Sequence, residues 1–167
     1  GTTTVLTGGS IDGATTISGG TVAVAGGQLT NAVTIGDAGT LTVSGGDAVA
    51  DTLRVDNAGI LRLVGDDETI GSVDGAGAID LATGTLTLGG DDTTSEISGV
   101  ISGDGGALVK IGSGALTLSG ENTFTGQTRV DAGTLFNTGT LNGAVAVASG
   151  ATFDTTGTVN SAITNNG

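Results

Sequence analysis

Gly39-Thr40-Leu41-Thr42-Val43 is the stretch from which the fold can be read. A glycine leads into a small or β-branched residue, and then apolar, polar and apolar side chains alternate. The phrase returns as Gly20-Thr21-Val22-Ala23-Val24, Gly59-Ile60-Leu61-Arg62-Leu63, Gly84-Thr85-Leu86-Thr87-Leu88 and Gly114-Ala115-Leu116-Thr117-Leu118. Shortened forms follow at Gly133-Thr134-Leu135-Phe136 and Gly150-Ala151-Thr152-Phe153. Strict alternation over four residues is the signature of a strand with one face buried. Helical periodicity is nowhere sustained, so the chain reads as all-β with very short strands.

The glycines of successive phrases lie 19, 20, 25, 30, 19 and 17 residues apart. Most are preceded by a second short strand: Val33-Thr34-Ile35, Leu53-Arg54-Val55, Ile79-Asp80-Leu81 and Val145-Ala146-Val147. The junctions echo one another, as in Val55-Asp56-Asn57-Ala58-Gly59 and Val130-Asp131-Ala132-Gly133. A unit of about 20 residues is too short for a propeller blade, which needs about 40. It suits one coil of a parallel β-helix, in which each strand stacks on its counterpart about 4.8 Å away. The expectation is a parallel β-helix, or β-solenoid, of about eight coils of roughly 17–30 residues, forming a single segment over residues 1–167.

In such a coil, Leu41, Val43, Leu61, Leu63, Leu86, Leu88, Leu116 and Leu118 point inward, and Leu41, Leu61, Leu86 and Leu116 are expected in one internal column. Thr40, Thr42, Arg62, Thr85 and Thr87 face water, where threonine's branched β-carbon fits the pleat. The intervals of 25 and 30 residues predict insertions bulging from the coil. Asp66-Asp67-Glu68 and Gly90-Asp91-Asp92 fall within them and are expected in exposed loops.

Composition narrows the function. The 167 residues include 34 glycines and no proline, cysteine, methionine, tryptophan, tyrosine or histidine. Glycine at this level without a three-residue period, and without proline, is not collagen. The recurring Val, Ile and Leu argue against disorder. No apolar run approaches the roughly 20 residues of a membrane helix, and the first residues do not read as a signal segment. Four basic residues against 17 acidic ones give a net charge of −13, which disfavours nucleic acid and anionic membranes as partners. The missing histidine and cysteine remove the commonest general base and the most reactive nucleophile.

Gly106-Ala107-Leu108-Val109-Lys110-Ile111-Gly112-Ser113-Gly114-Ala115-Leu116-Thr117-Leu118-Ser119-Gly120-Glu121-Asn122-Thr123-Phe124-Thr125-Gly126, continued through Arg129-Val130-Asp131-Ala132-Gly133-Thr134-Leu135, resembles the passenger-associated repeat of bacterial autotransporters. Its glycines, Leu108, Lys110, Leu116, Leu118 and the run Asn122-Thr123-aromatic carry the likeness. The resemblance implies a right-handed parallel β-helix, exported through a C-terminal outer-membrane barrel to the surface of a Gram-negative cell. This chain stops at Asn165-Asn166-Gly167 without such a barrel, and so reads as a segment of a larger protein or a processed passenger piece.

Individual residues favour structure over chemistry. Asn122 and Phe124 are expected at a corner, the amide bonding neighbouring backbone and the ring filling the coil. Lys110, the only lysine, is expected to pair with a carboxylate or cover an apolar edge. Arg54 and Arg62 are expected on an outer face. Asp66-Asp67 and Asp91-Asp92 are sequence neighbours in turns, unlike the separated carboxylates of a glycosidase. Gly45-Gly46-Asp47 and Gly89-Gly90-Asp91 only brush against the calcium-binding nonapeptide, and no tandem follows. Thr40-Leu41-Thr42 and Thr85-Leu86-Thr87 do not extend into a regular threonine row. No catalytic, cofactor-binding or metal-ligating residue is singled out and no cofactor is expected, with loose calcium binding by acidic loops left open.

The leading expectation is a non-catalytic structural or adhesive module, a rigid rod for display, adhesion or self-assembly. The alternative is a glycan-active or glycan-binding β-helix with an acidic groove, marked by charged or aromatic residues converging over three consecutive coils. Both ends, Gly1-Thr2-Thr3-Thr4-Val5 and Gly157–Ile163, continue in strand idiom. Natural sheets cover such edges, so the expected partners are further β-helical repeats of the same chain or neighbouring copies end to end, together with surface polysaccharide or host cells.

Overall fold

The computed structural model describes residues 3–166. Gly1 and Thr2, part of the expected strand-like opening, lie outside the described residues. The described chain is all strand, turn and corner, and every named strand pairing is parallel. The strands stack into a β-solenoid of about eight turns with three faces.

The first face carries Arg54–Asn57, Ser72–Asp74, Ser95–Ile97, Ala115–Leu118, Thr134–Asn137 and Thr152–Thr155. The second carries Ile60–Leu63, Ala78–Asp80, Ile101–Ser102, Thr140–Leu141 and Thr158–Val159. On the third lie Glu68–Ile70, Thr85–Leu88, Ala107–Lys110, Thr128–Val130, Val145–Val147 and Ile163–Asn165. Near the N-terminus two longer strands, Thr15–Ala25 and Val33–Ser44, run around the corner from the first face to the second. At about 4.8 Å per coil the stack rises roughly 40 Å.

Alternation holds as the sequence predicts. Leu41, Val43, Leu61, Leu63, Leu86, Leu88, Leu116 and Leu118 are all buried. Thr40, Thr42, Thr85 and Thr87 are half-buried, and Arg62 is exposed.

The expected single leucine column does not exist. Leu41 and Leu61 are neighbours on the second face, in a column that continues through Ile79 to Ile101. Leu86 stands on the third face between Glu68 and Leu108. Leu116 stands on the first, between Ser95 and Leu135. The recurring phrase marks any passage from a glycine corner into a strand, and the coil has three such corners. Nor are the long intervals insertions. Register advances by 17 residues from Thr128 to Val145 and by 22 from Val33 to Val55, and the other coils fall between. The spacings of 25 and 30 residues each combine a full coil with a step to the next corner.

The true period is carried by another set of glycines. Gly59, Gly77, Gly99, Gly120, Gly139 and Gly157 stack at the corner between the first and second faces. A β-carbon on any of them would lie 2.0–2.5 Å from the carbonyl oxygen of a glycine in the coil before, far inside van der Waals contact. The carbonyls so admitted form the ladder between coils. Ala78 N–H donates to Gly59 O at 2.8 Å, Thr140 N–H to Gly120 O at 3.1 Å and Thr158 N–H to Gly139 O at 2.8 Å.

Gly120→Ala is therefore expected to destabilise the fold by about 1–3 kcal/mol or more, as overpacking against rigid backbone does. A β-carbon at Gly13 meets nothing within 4 Å, so Gly13→Ala should be neutral or stabilise by up to about 1 kcal/mol. Equal melting temperatures for the two variants would contradict the close-approach argument.

Candidate functional site

The polar groups of the chain divide into those built into the interior and those presented on the faces. Lys110 belongs to the interior. It ends the strand Ala107–Lys110 in the inward column Ile70, Leu88, Lys110, Val130 and Val147, where it is 1% exposed. Its Nζ donates to the carbonyls of Ile111, Gly112 (2.9 Å) and Ala132 (3.4 Å). The expectation of a carboxylate partner or a covered edge is thus corrected: the ammonium sits in a cage of backbone oxygens at the corner between the third and first faces. Gly89 and Gly133 keep the cage open, since β-carbons there would come within 3.2 and 3.0 Å of Nζ. Burial lowers the pKa of the amine, and Asp92 followed by Asp91 partly offsets this.

Glu68 is the second buried charge, where the acidic run Asp66-Asp67-Glu68 predicts an exposed loop. It is 3% exposed and heads the inward column Glu68, Leu86, Leu108, Thr128 and Val145. Its two carboxylate oxygens accept the backbone N–H groups of Ala48 at 3.0 Å and Val49 at 2.7 Å. A side chain thereby replaces ladder carbonyls where the preceding coil makes only an isolated bridge, Leu29 to Val49. Burial raises the Glu68 pKa, against the lowering effect of these two hydrogen bonds.

Asn122 and Phe124 behave as the sequence predicts. Asn122 is fully buried, its Oδ1 accepting Ile101 N–H at 3.0 Å and its Nδ2 donating to Gly120 O at 3.1 Å. Phe124 is fully buried in the core.

The paired acidic residues of the turns are more than solvated charge. Asp66 accepts Gly45 N–H at 2.7 Å and Asp67 accepts Thr85 N–H at 2.8 Å, each tying its corner to an adjacent coil. Asp92 accepts Ser113 N–H at 2.7 Å, and this bond with the Ser113 hydroxyl lowers its pKa. For Asp91 burial pushes upward, but hydrogen bonds from Ser72 and Thr93 together hold the carboxyl low. Thr40 and Thr42 lie on the second face while Thr85 and Thr87 lie on the third, so no threonine row forms between them. Among the described residues no three acidic side chains group closely enough to hold a metal ion.

On the outside, the first face holds a feature that sequence reading missed. Asp56 and Asp74 are register partners, and Asp74 Oδ2 accepts the backbone N–H of Glu96 at 3.0 Å. The three carboxylates make a row over three consecutive coils. Arg54 reaches Asp56 at 2.8 Å and Asp74 at 3.3 Å. Glu96 accepts the Ser119 hydroxyl at 2.7 Å. The row was legible as a spacing, because Asp56, Asp74 and Glu96 each stand three residues before a column glycine, at 59, 77 and 99. Arg62, as expected, is on an outer face and pairs with Asp80 at 3.1 Å.

Residues 108–135 match the family model described as the passenger-associated-transport-repeat. Neither curated protein sequences nor solved structures yield a match to the chain. The matched segment is a little more than one coil. Its most distinctive side chains, Lys110, Asn122 and Phe124, are the ones enclosed between coils.

Lys110→Met keeps the aliphatic stem but leaves three half-buried carbonyls without their donor. It is expected to cost on the order of 2 kcal/mol or more, whereas Arg62→Met at an exposed ion pair should stay within about 1 kcal/mol. Chemical denaturation of both variants checks the difference. Glu68→Gln presents an amide N–H₂ to one of two backbone donors and should cost about 1–3 kcal/mol at neutral pH. Because the folded-state pKa of Glu68 is raised, its contribution is fully present below the unfolded value near 4.5 and is lost as pH climbs through the folded value. The gap in favour of the parent over Glu68→Gln should therefore widen on acidification from pH 7 towards 4.5, and a gap that narrows would contradict the assignment.

Proposed function

We propose that the chain is a structural module of the passenger region of an autotransported bacterial surface protein, a rigid rod that spaces, displays or adheres rather than catalyses. The passenger-repeat match and the β-solenoid both fit a passenger module, which is a secreted, surface-exposed kind of domain. No helix among the described residues is long and apolar enough to cross a membrane. The observation that carries the reading is where the matched segment spends its polar groups. Lys110 and Asn122 are consumed in joining coil to coil, with no atom turned to a substrate.

The glycan reading retains one supporting feature, the row Asp56, Asp74 and Glu96. Against it, Arg54 clamps the first two carboxylates together, and the only aromatic on that outward row is Phe136, two coils beyond Glu96. Sugar clefts are usually aromatic-lined, and the chain has neither tyrosine nor tryptophan.

The rod's partners in this reading are more coils, from the same polypeptide or from copies stacked end to end. The net charge of −13 opposes association of copies unless salt or divalent cations screen it.

Protease treatment of intact bacteria producing the full-length protein tests the reading. A tag placed at Gly13 should be released into the medium while a cytoplasmic marker stays protected. Retention of the tag inside unbroken cells would overturn a surface role. Release of reducing ends from polysaccharides by the purified chain would favour the glycan reading instead.

A further inference from the structure

At the corner between the first and second faces, an apolar groove, exposed aliphatic side chains and unbalanced charge coincide. The groove has a volume of about 260 Å³ and is lined by Ile35, Ala58 and Ala76, with Asp56 and Asp74 also in its wall. Beside it, Ile60 and Ala78 are outward register partners. Val100 follows in the next coil, since Ile79 pairs with Ile101 and donates its N–H to Val100 O. Ile60 is 36% exposed and Val100 43%. Two parallel rows thus run along the axis for three coils, one of carboxylates (Asp56, Asp74, Glu96) and one aliphatic (Ile60, Ala78, Val100).

We propose that this corner is a docking surface for a basic polypeptide segment that carries aliphatic side chains and lies along the solenoid axis. The inference goes beyond the scaffold reading and does not rest on it.

Charge selects the occupant. Three carboxylates face one guanidinium, and Arg54 already divides itself between Asp56 and Asp74. A neutral apolar partner would strip water from carboxylates without replacing it, which is costly. Anionic glycans and nucleic acids would be repelled. A second copy would bring 17 acidic residues with only 4 basic ones. A basic segment satisfies the row, and its aliphatic side chains bury the exposed Ile60 and Val100. Geometry suggests its conformation as well. Asp56 and Glu96 are two coil steps apart, roughly 9.6 Å at about 4.8 Å per step. A polyproline-II segment repeats its side-chain direction every third residue, a rise of about 9.3 Å.

The test uses the 167-residue chain and a dye-labelled peptide of four Lys-Leu-Pro repeats, followed by fluorescence anisotropy at physiological salt. Saturable binding is expected. Asp56→Asn with Glu96→Gln should weaken it about tenfold or more. Ile60→Ser with Val100→Ser should weaken it about fivefold or more, as should replacing the peptide's leucines by serine. Asp47→Asn with Asp51→Asn removes the same charge off these rows and should leave affinity within about twofold. All these side chains are exposed, and melting curves confirm that each variant folds. The proposal is overturned if binding does not saturate, if the control charge pair matters as much as the pair in the carboxylate row, or if the Lys-Ser-Pro peptide binds equally well. The last two results would mean general attraction to an acidic rod. The peptide comparison needs no variant and decides the matter even if one fails to fold.

Discussion

One close approach governs this structure: the carbonyl oxygen of a corner glycine occupies the place where the next coil's glycine would carry a β-carbon. Stacking at strand spacing brings corners as close together as strands, about 4.8 Å. A strand accepts that distance because its side chains point across the stacking direction. A corner turns, and one side-chain direction then points along the axis at the coil below. Only glycine removes the conflict. The chain's 34 glycines and its lack of proline are two effects of this demand, since proline would also withdraw a donor from the ladder between coils.

Once the corners are tight, their carbonyls must be satisfied, and the interior shows three solutions. Most corner oxygens accept an N–H from the following coil. At Lys110 an ammonium gathers oxygens from Ile111, Gly112 and Ala132. At Asn122 a single amide acts as acceptor and donor together. Glu68 solves the inverse problem, supplying oxygens to the N–H groups of Ala48 and Val49. Both buried ions are held by dipoles, and among the described residues neither forms a salt bridge. Each pKa moves towards the neutral form because burial is the largest influence on it.

Fold class and side-chain alternation were legible in the sequence because both follow from a two-residue period visible within four residues. Coil length was not legible from the same phrase. Gly59-Ile60-Leu61 opens the second face, Gly84-Thr85-Leu86 the third and Gly114-Ala115-Leu116 the first, so a common local idiom hides a change of corner. The better marker was the glycine standing three residues after an outward position, at 59, 77, 99, 120, 139 and 157, and that spacing also reveals the carboxylate row. The burial of Lys110 and Glu68 follows from strand phase. Lys110 stands two residues after inward Leu108, and Glu68 two before inward Ile70. Alternation therefore placed both inside, where charge alone argued for the surface.

The same period divides what is constrained from what is free. Inward positions must fit a core shared by three faces and touch their counterparts above and below, so a change there is felt by neighbouring coils. Outward positions pack mainly against their register partners. The outward row of the first face illustrates the freedom: Asp56, Asp74, Glu96, Thr117, Phe136 and Asp154 follow one another without any common chemistry. A partner that reads the sides of such a solenoid meets these rows, and recognition there depends on runs of like character across consecutive coils. Asp56 to Glu96 and Ile60 to Val100 are such runs, and they lie side by side at one corner. That two rows keep a chemical theme over the same three coils, while the row beyond them loses it, distinguishes this corner from the permissive surface around it.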